Sequence, residues 1–448
     1  MSTVSGSSWF QRRFALAQNA TTVRTEILAG VTTFLTLAYI IFVQPVVLSA
    51  CGMDFGAVVV ATCISSAIAT LLMAFLANYP IAVAPAMGHN FFFAFGVVVG
   101  MKVPWQVALG GVAVAGILFV LTAGIGLREK LITAIPESLK HAIAVGIGLL
   151  IAVVGLEWAG IIVDSPGTLV TLGSLRSGPV LLCLFGLAVM SALFALKVRG
   201  AVLGGMLAAT VAGLATDLVQ YQGVFSAPPS LAPTLLKLDI LGALKPQMVA
   251  VIFVFFFLAL FDSVGTLVGV AGQAGLMRGG TLPRARQALL SDAVGTVCGA
   301  GLGTSTVTAY IESATGVAAG GRTGLANVVT AALFLLALPF YPLVKMIGGG
   351  YQTADGRMLY PVIAPALIVV GTMMMHGVRK VDWDDMTEAI PSFLTIILMP
   401  LAFSITEGIA FGFISHSFLK IVTGRWREAH WLVHTFALLF LVRYMVLT

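Results

Sequence analysis

GAGLGTSTVTAYIESATGVAAGG, residues 299–321, is the stretch on which the reading of this chain turns. Its Gly, Ser and Thr content is too high for an ordinary membrane helix, yet long apolar runs flank it on both sides. TSTVTAYI (304–311) suits a short strand, and the residues after Glu312 suit a half-helix. Non-helical backbone at membrane depth is tolerated only where protein buries it or a cavity lies beside it. A carboxylate at such a break is a functional residue by default.

A counterpart lies far upstream. YPIAVAPAMGHNFFFAF (79–95) is interrupted by Pro80, Pro85 and Gly88, and it too begins with a β-compatible run, IAVAP. Paired defects in the two halves of a membrane protein point to a binding site at the interface of inverted repeats. The plainer alternative is two Pro/Gly-bent helices packed in a bundle.

Composition sets the class. The chain has 448 residues, 59% hydrophobic and 9% charged, with a mean hydropathy of +1.04. A soluble domain carries roughly 25% charged residues, so this is an all-α polytopic membrane protein with short strands at the two breaks. Apolar stretches fall at 26–49, 55–77, 82–100, 104–126, 136–155, 177–196 and 201–218. After a Pro-rich connector they resume at 247–271, 285–301, 304–319, 323–345, 358–377, 388–403 and 405–422. That predicts 14 transmembrane segments as two inverted 7-segment repeats. A last apolar stretch, 431–447, is short, carries Arg443, and suits the interface or a hairpin arm.

Charge tests this arrangement. With the N-terminus cytoplasmic, only Lys102, Arg176, Lys237, Lys245, Lys345 and Arg357 fall on the far side. Arg443 apart, the other basic residues, Arg128, Lys130 and Arg278 among them, fall inside, as the positive-inside rule requires. The net charge of +6 is scattered over loops and implies no nucleic-acid partner. Cys51, Cys63, Cys183 and Cys298 are far apart and read as buried apolar residues rather than a metal site or a disulfide frame. The N-terminal MSTVSGSSWFQRRFALAQNATTVRTE lacks a long apolar core and is a poor signal peptide. There is no Walker A, HExxH or GxSxG motif, so the chain is read as no enzyme and as needing no cofactor.

A second acid, Asp262, sits inside VIFVFFFLALFDSVGTLVGV (251–270). An Asp at the centre of a membrane helix costs roughly 2.5–3.5 kcal/mol. With no Lys or Arg beside them, Asp262 and Glu312 favour the neutral form and can take up and release a proton. Free N–H groups of the half-helix after Glu312 would face the cavity and favour a ligand acceptor. Asn90 lies at the equivalent upstream break, either as a ligand-binding amide or as a helix cap, with His89 beside it. Thr306, Thr308 and Ser313 are polar enough to line the same site. Asp292 and Glu407 lie near span ends, where both suit the interface. Asp292 is also a candidate gating or positioning partner. Arg322 is read as cytoplasmic, and Asp382, Asp384 and Asp385 as a solvated loop balancing Arg379 and Lys380.

At these residues the chain resembles a known family. TEILAGVTTFLTLAYIIFVQP (25–45), APAMGHNFFFAF (84–95), FDSVGTLVGVAGQAGL (261–276) and GTSTVTAYIESATGVAAGGRTGL (303–325) resemble the azaguanine-type adenine/guanine/hypoxanthine permeases. These are a branch of the xanthine/uracil permeases, nucleobase–cation symporters. The resemblance implies a core domain (25–126 and 246–345) and a gate domain (127–218 and 346–422). Around them lie an N-terminal tail (1–24), an extracytoplasmic connector (219–245) and a C-terminal interfacial segment (423–448). It implies purine binding by Asp262, Glu312 and Asn90, proton symport through Glu312 and Asp262, the cytoplasmic (inner) membrane, elevator-like movement and a homodimer. Phe91, Phe92 or Phe261 would pack on the purine faces. The family usually reads close to APGMGLNAYF in the third segment. Here Ala86, His89 and Phe91 replace Gly, Leu and Ala, and Gln44 stands where Asn is usual. The alternatives are a same-fold symporter for uracil or xanthine, or an intramembrane enzyme using the two acids.

Overall fold

The structure, a computed structural model, describes residues 9–125, 136–277 and 282–446. Arg128, Lys130, Arg278 and the expected boundary at 126–127 lie outside the described residues. α1 (Val23–Leu37) and α2 (Ile40–Ser49) form one interrupted span of 27 residues. At about 1.5 Å per residue such a span exceeds the roughly 30 Å hydrocarbon layer. α3 (Phe55–Leu72) continues as a π-helical turn to Ala77. β1 (Val83–Pro85) and α4 (Met87–Phe91) come after it, then π-helical Phe92–Gly100 and α5 (Trp105–Ile125). Next come α6 (Glu137–Trp158), the hairpin of β2 (Ile162–Ser165) and β3 (Leu169–Leu172), α7 (Gly178–Ala195) and α8 (Ala201–Ala215).

Beyond the connector the pattern recurs. α9 (Val249–Gln273) and α10 (Ala285–Leu302) lead to β4 (Val307–Ala309) and α11 (Ser313–Ala318). Then come α12 (Gly324–Leu336), α13 (Tyr341–Gly348), the β5 (Tyr351–Gln352) and β6 (Met358–Leu359) pair, and α14 (Ala364–Met374). α15 (Met386–Leu401), α16 (Ile405–Val422) and α17 (Trp431–Val446) complete the chain. Among the described residues eight helices are long and apolar enough to cross a membrane, and four shorter apolar helices accompany them.

The helices pack in two groups. α12 lies on α1 and α3, and α10 on α3 and α5, while α14 and α15 lie on α6, and α16 on α15. Small residues permit the close approaches. A Cβ on Gly30 would sit 2.3 Å from the Ala326 carbonyl oxygen, and one on Gly371 would sit 2.5 Å from that of Gly148. The buried carboxylate of Glu26 ties α1 to the start of α12 by accepting from the amides of Arg322 (2.9 Å), Thr323 (3.3 Å) and Ala326 (3.3 Å). It thereby satisfies donors that a helix start leaves open.

The two breaks meet. β1 and β4 pair antiparallel, Val83 opposite Ala309, Ala84 opposite Thr308, and Pro85 opposite Val307. Each strand is held by one threonine of a preceding helix. Thr70 of α3 accepts from the Val83 amide (3.0 Å) and donates to its carbonyl (2.9 Å). Thr296 of α10 does the same for Val307 at 3.2 and 2.9 Å. The same device appears in both halves and satisfies backbone groups that lipid would leave unpaired.

Both chain ends are tied to the helices. The N-terminal stretch docks, with Arg13 donating to the Phe75 carbonyl (2.6 Å) and Asn78 to that of Phe14 (3.1 Å). Glu407 pairs with Arg443 of α17 at 2.8 Å and accepts from Tyr444, so α17 is tied to α16.

Candidate functional site

The strand crossing places the two acids together. Asp262 projects from mid-α9 and is accessible despite its depth in the span. The Thr308 hydroxyl on β4 donates to its Oδ2 at 3.0 Å. Glu312, half-buried, forms the cap residue of α11. The Tyr39 hydroxyl donates to its Oε1 at 2.7 Å. Glu312 follows Thr308 by four residues on the segment that leaves β4, so the carboxyl group held by Thr308 and that of Glu312 are brought to the same crossing. Tyr310 itself donates to the Pro85 carbonyl at 2.5 Å and locks β4 to β1.

Asn90 lies inside α4, so it does not cap that helix; Ala86 takes the cap position. Its Oδ1 accepts from the Ser305 hydroxyl, and Ser305 in turn lies 3.4 Å from the Gln44 amide nitrogen, which donates to Thr304 at 2.8 Å. Four fully buried side chains thus link α2, α4 and the approach to β4. Asn90 Nδ2 and Gln44 Oε1 have no partner among the described residues. His89 is buried beside them, with Nε2 likewise unpartnered.

Other expected contributors are placed differently. Asp292 is fully buried within α10 instead of at an interface, and its Oδ2 accepts from the Ala309 amide at 3.3 Å, bracing β4 from behind. Ser313 braces too, accepting from the Ala82 amide at 2.9 Å. Thr306 is buried, and its carbonyl accepts from the Ala86 amide at 3.0 Å. Phe91 is fully buried and stacks on Phe95, and Phe92 is fully buried against Phe255. Phe261 is half-buried, between Phe257 (ring centroids 4.5 Å apart) and the Lys140 ammonium (5.4 Å).

The first amides of α11 are not free as expected. Those of Ser313, Ala314 and Thr315 bond to the carbonyls of Tyr310, Ile311 and Glu312 in a tight turn. Arg322 Nη1 donates to the Val317 (2.8 Å) and Gly321 (2.7 Å) carbonyls, closing the far end of the broken segment. Asp385 pairs with Arg425 at 2.8 Å, where Arg379 and Lys380 were expected, and caps α15 through the Thr387 amide at 2.9 Å.

Sequence reasoning missed Tyr39, Ser305 and Tyr310. A buried phenol needs a partner, so a lone tyrosine in LTLAYIIF and another in TAYIES were available signals. No spacing rule could pair residues 273 positions apart.

A family model described as a permease family matches residues 24–411. The chain belongs to this permease family. It is 50% identical over 440 residues to a putative permease of Methanocaldococcus jannaschii, covering 98% of each chain. It is 44% identical over 440 residues to an adenine permease of Escherichia coli (98% of this chain, 96% of that one). It is 45% identical over 446 residues to a guanine/hypoxanthine permease of Bacillus subtilis (97% and 99%). The fold is also similar to the transmembrane domain of a cyanobacterial bicarbonate transporter, with a TM-score of 0.60 at 15% identity, over 87% of this chain and 97% of that one. This permease is therefore a multi-pass membrane transporter and not an enzyme.

Proposed function

We propose that this permease imports purine nucleobases (adenine, guanine or hypoxanthine) together with protons across the cytoplasmic membrane. The observation that carries the reading is the convergence of Asp262 and Glu312 at the strand crossing, each with one oxygen engaged by a neutral hydroxyl. Two carboxyl groups that make no ion pair among the described residues suit the N–H groups of a purine edge and suit a transported proton. Asn90 contributes an amide donor, Thr308 holds Asp262, and Phe261 has exposed ring surface for a flat ligand. The names of the 44–45% identical relatives, adenine and guanine/hypoxanthine permeases, support the substrate class.

In this reading fourteen segments cross as two inverted halves, with the N-terminus cytoplasmic. Residues 25–126 and 246–345 form the moving core, residues 127–218 and 346–422 form the gate, and the core slides against the gate as an elevator, in a homodimer. Asp292 acts as a positioning brace for β4, and His89 borders the amide network.

The test is uptake of labelled adenine, hypoxanthine, guanine and uracil into proteoliposomes under an imposed pH gradient. Purine uptake abolished by a protonophore is expected. No purine uptake or binding refutes the substrate class, and uptake that follows a sodium gradient through a protonophore refutes proton coupling alone. Preference for uracil would favour the same fold with a pyrimidine substrate.

A further inference from the structure

We propose that Tyr39 is a positioning residue that aims the Glu312 carboxyl group and sets the pH range over which the transporter works. The inference rests on the reading of Glu312 as a proton-carrying residue. It starts from a seam. On α1 and the turn after it, Thr33, Thr36 and Tyr39 face the segment 312–316. Thr36 bonds the Thr315 hydroxyl at 2.9 Å, and Tyr39 bonds Glu312 at 2.7 Å. Thr315 also donates to the Glu312 carbonyl at 2.7 Å. Gly316 lies so close that a Cβ there would fall 2.0 Å from Thr33 Oγ1. Tyr39 itself is 3% exposed, at the interruption between α1 and α2, where Pro45 further along denies α2 a backbone donor.

This placement has a chemical consequence. A phenol O–H donates to the ionised carboxylate at Oε1, leaving Oε2 as the oxygen on which a proton is gained or lost. The step is only –CO₂⁻ + H⁺ → –CO₂H, with no other bond changed. Among the described residues, the titratable groups acting on Glu312 are Tyr39 on the first span, Asp262 on α9, and Tyr310 just after β4. Asp262 opposes a second negative charge, and Tyr39 is the side chain that donates to the Glu312 carboxylate. Removing that donor disfavours the carboxylate relative to the acid. Glu312 then keeps its proton to higher pH, and the alkaline limb of uptake moves upward.

The experiment is Tyr39→Phe in proteoliposomes, which keeps the ring and its packing. Initial purine uptake is measured against pH, set equal on both sides and driven by substrate alone, and purine binding to the purified protein is measured over the same pH range. The alkaline midpoint is expected to rise by about one pH unit, the scale of one charge-assisted hydrogen bond. In a Glu312→Gln background, Tyr39→Phe should leave the pH dependence of binding where it was. A fall in rate with an unmoved midpoint, in both uptake and binding, overturns the proposal and leaves Tyr39 as packing. A shift of the same size in the Glu312→Gln background also overturns it. If Tyr39→Phe abolishes uptake, the midpoint of binding decides by the same criterion. Wild-type protein that takes up purine without pH dependence refutes proton coupling itself and is a separate outcome.

Discussion

Substitution of Gly316 by alanine tests the construction of the site most directly. The added Cβ would lie 2.0 Å from Thr33 Oγ1 and 2.7 Å from the Ala29 carbonyl oxygen, against an ordinary contact that begins at 3.4 Å. A rotamer change at Thr33 can relieve the first clash. The second is with backbone, so α1 and α11 must part by about 0.7 Å. Overpacking of this kind costs about 1–3 kcal/mol. Shifting the segment 312–316 by that amount stretches the 2.7 Å Tyr39–Glu312 bond to the edge of hydrogen-bonding range. The displaced Glu312 carboxyl then meets a bound ligand less well, and a hydrogen bond to a charged group is worth about 1.5–3 kcal/mol, roughly tenfold or more in affinity. Gly316→Ala should therefore melt a few degrees lower in detergent and, for the purine transport proposed above, show a KM raised about tenfold or more. Adding Thr33→Ala should restore part of the melting loss but little of the KM, because the Ala29 carbonyl remains. A Gly316→Ala protein with wild-type melting and wild-type KM would refute the claimed closeness of α1 to the broken segment.

Other outcomes rest on the same kinds of contact. Glu26→Gln keeps one acceptor oxygen for three amide donors and sets an NH₂ group against the others, so stability should fall by about 2 kcal/mol; thermal melting at fixed pH checks this. Thr308→Val preserves shape but removes the donor to Asp262, so KM should rise severalfold while the melting temperature stays within about 2 °C. Asp385 is held at about 2 by the Thr387 hydroxyl and amide and by Arg425, well below its ordinary value near 3.8. Its stabilising contribution should be complete above about pH 4 and disappear between pH 4 and 2 as the carboxylate is protonated. Melting followed over that range should show a shallower acid loss in Asp385→Asn than in the wild type.

Much of the architecture was legible because membrane burial is a severe constraint. Long apolar runs mark the membrane-spanning helices without any tertiary knowledge. The two breaks showed themselves through Pro80, Pro85 and the Gly, Ser and Thr of 303–316. Asp262 and Glu312 were visible because an acid in an apolar run costs free energy. The features that stayed hidden depend on which faces meet. Asp292 read as a residue near a span end, yet α10 turns it inward onto β4. Phe91 read as a ligand-facing ring, yet α4 turns it onto Phe95. Tyr39 gave no local sign of its partner, because Glu312 reaches it only after the chain has crossed and returned. Asn90 read equally well as a cap or as a ligand amide, and only its position inside α4, bonded to Ser305, removes the first option.

The pairing of β1 with β4 has a bearing on how the protein is made. Tyr310 and the Pro85 carbonyl it bonds are 225 residues apart. At translation rates of roughly 5–20 residues per second, the first strand leaves the ribosome about 10–45 seconds before its partner exists. During that interval Val83 can rely on Thr70, but the rest of the broken segment has no mate across the membrane. The nascent first half must therefore wait in the bilayer with an open seam, sheltered by the insertion machinery or by water. Biogenesis of such a transporter is exposed to failure at this stage, and a half-chain expressed alone should be cleared by proteases unless the other half is supplied with it.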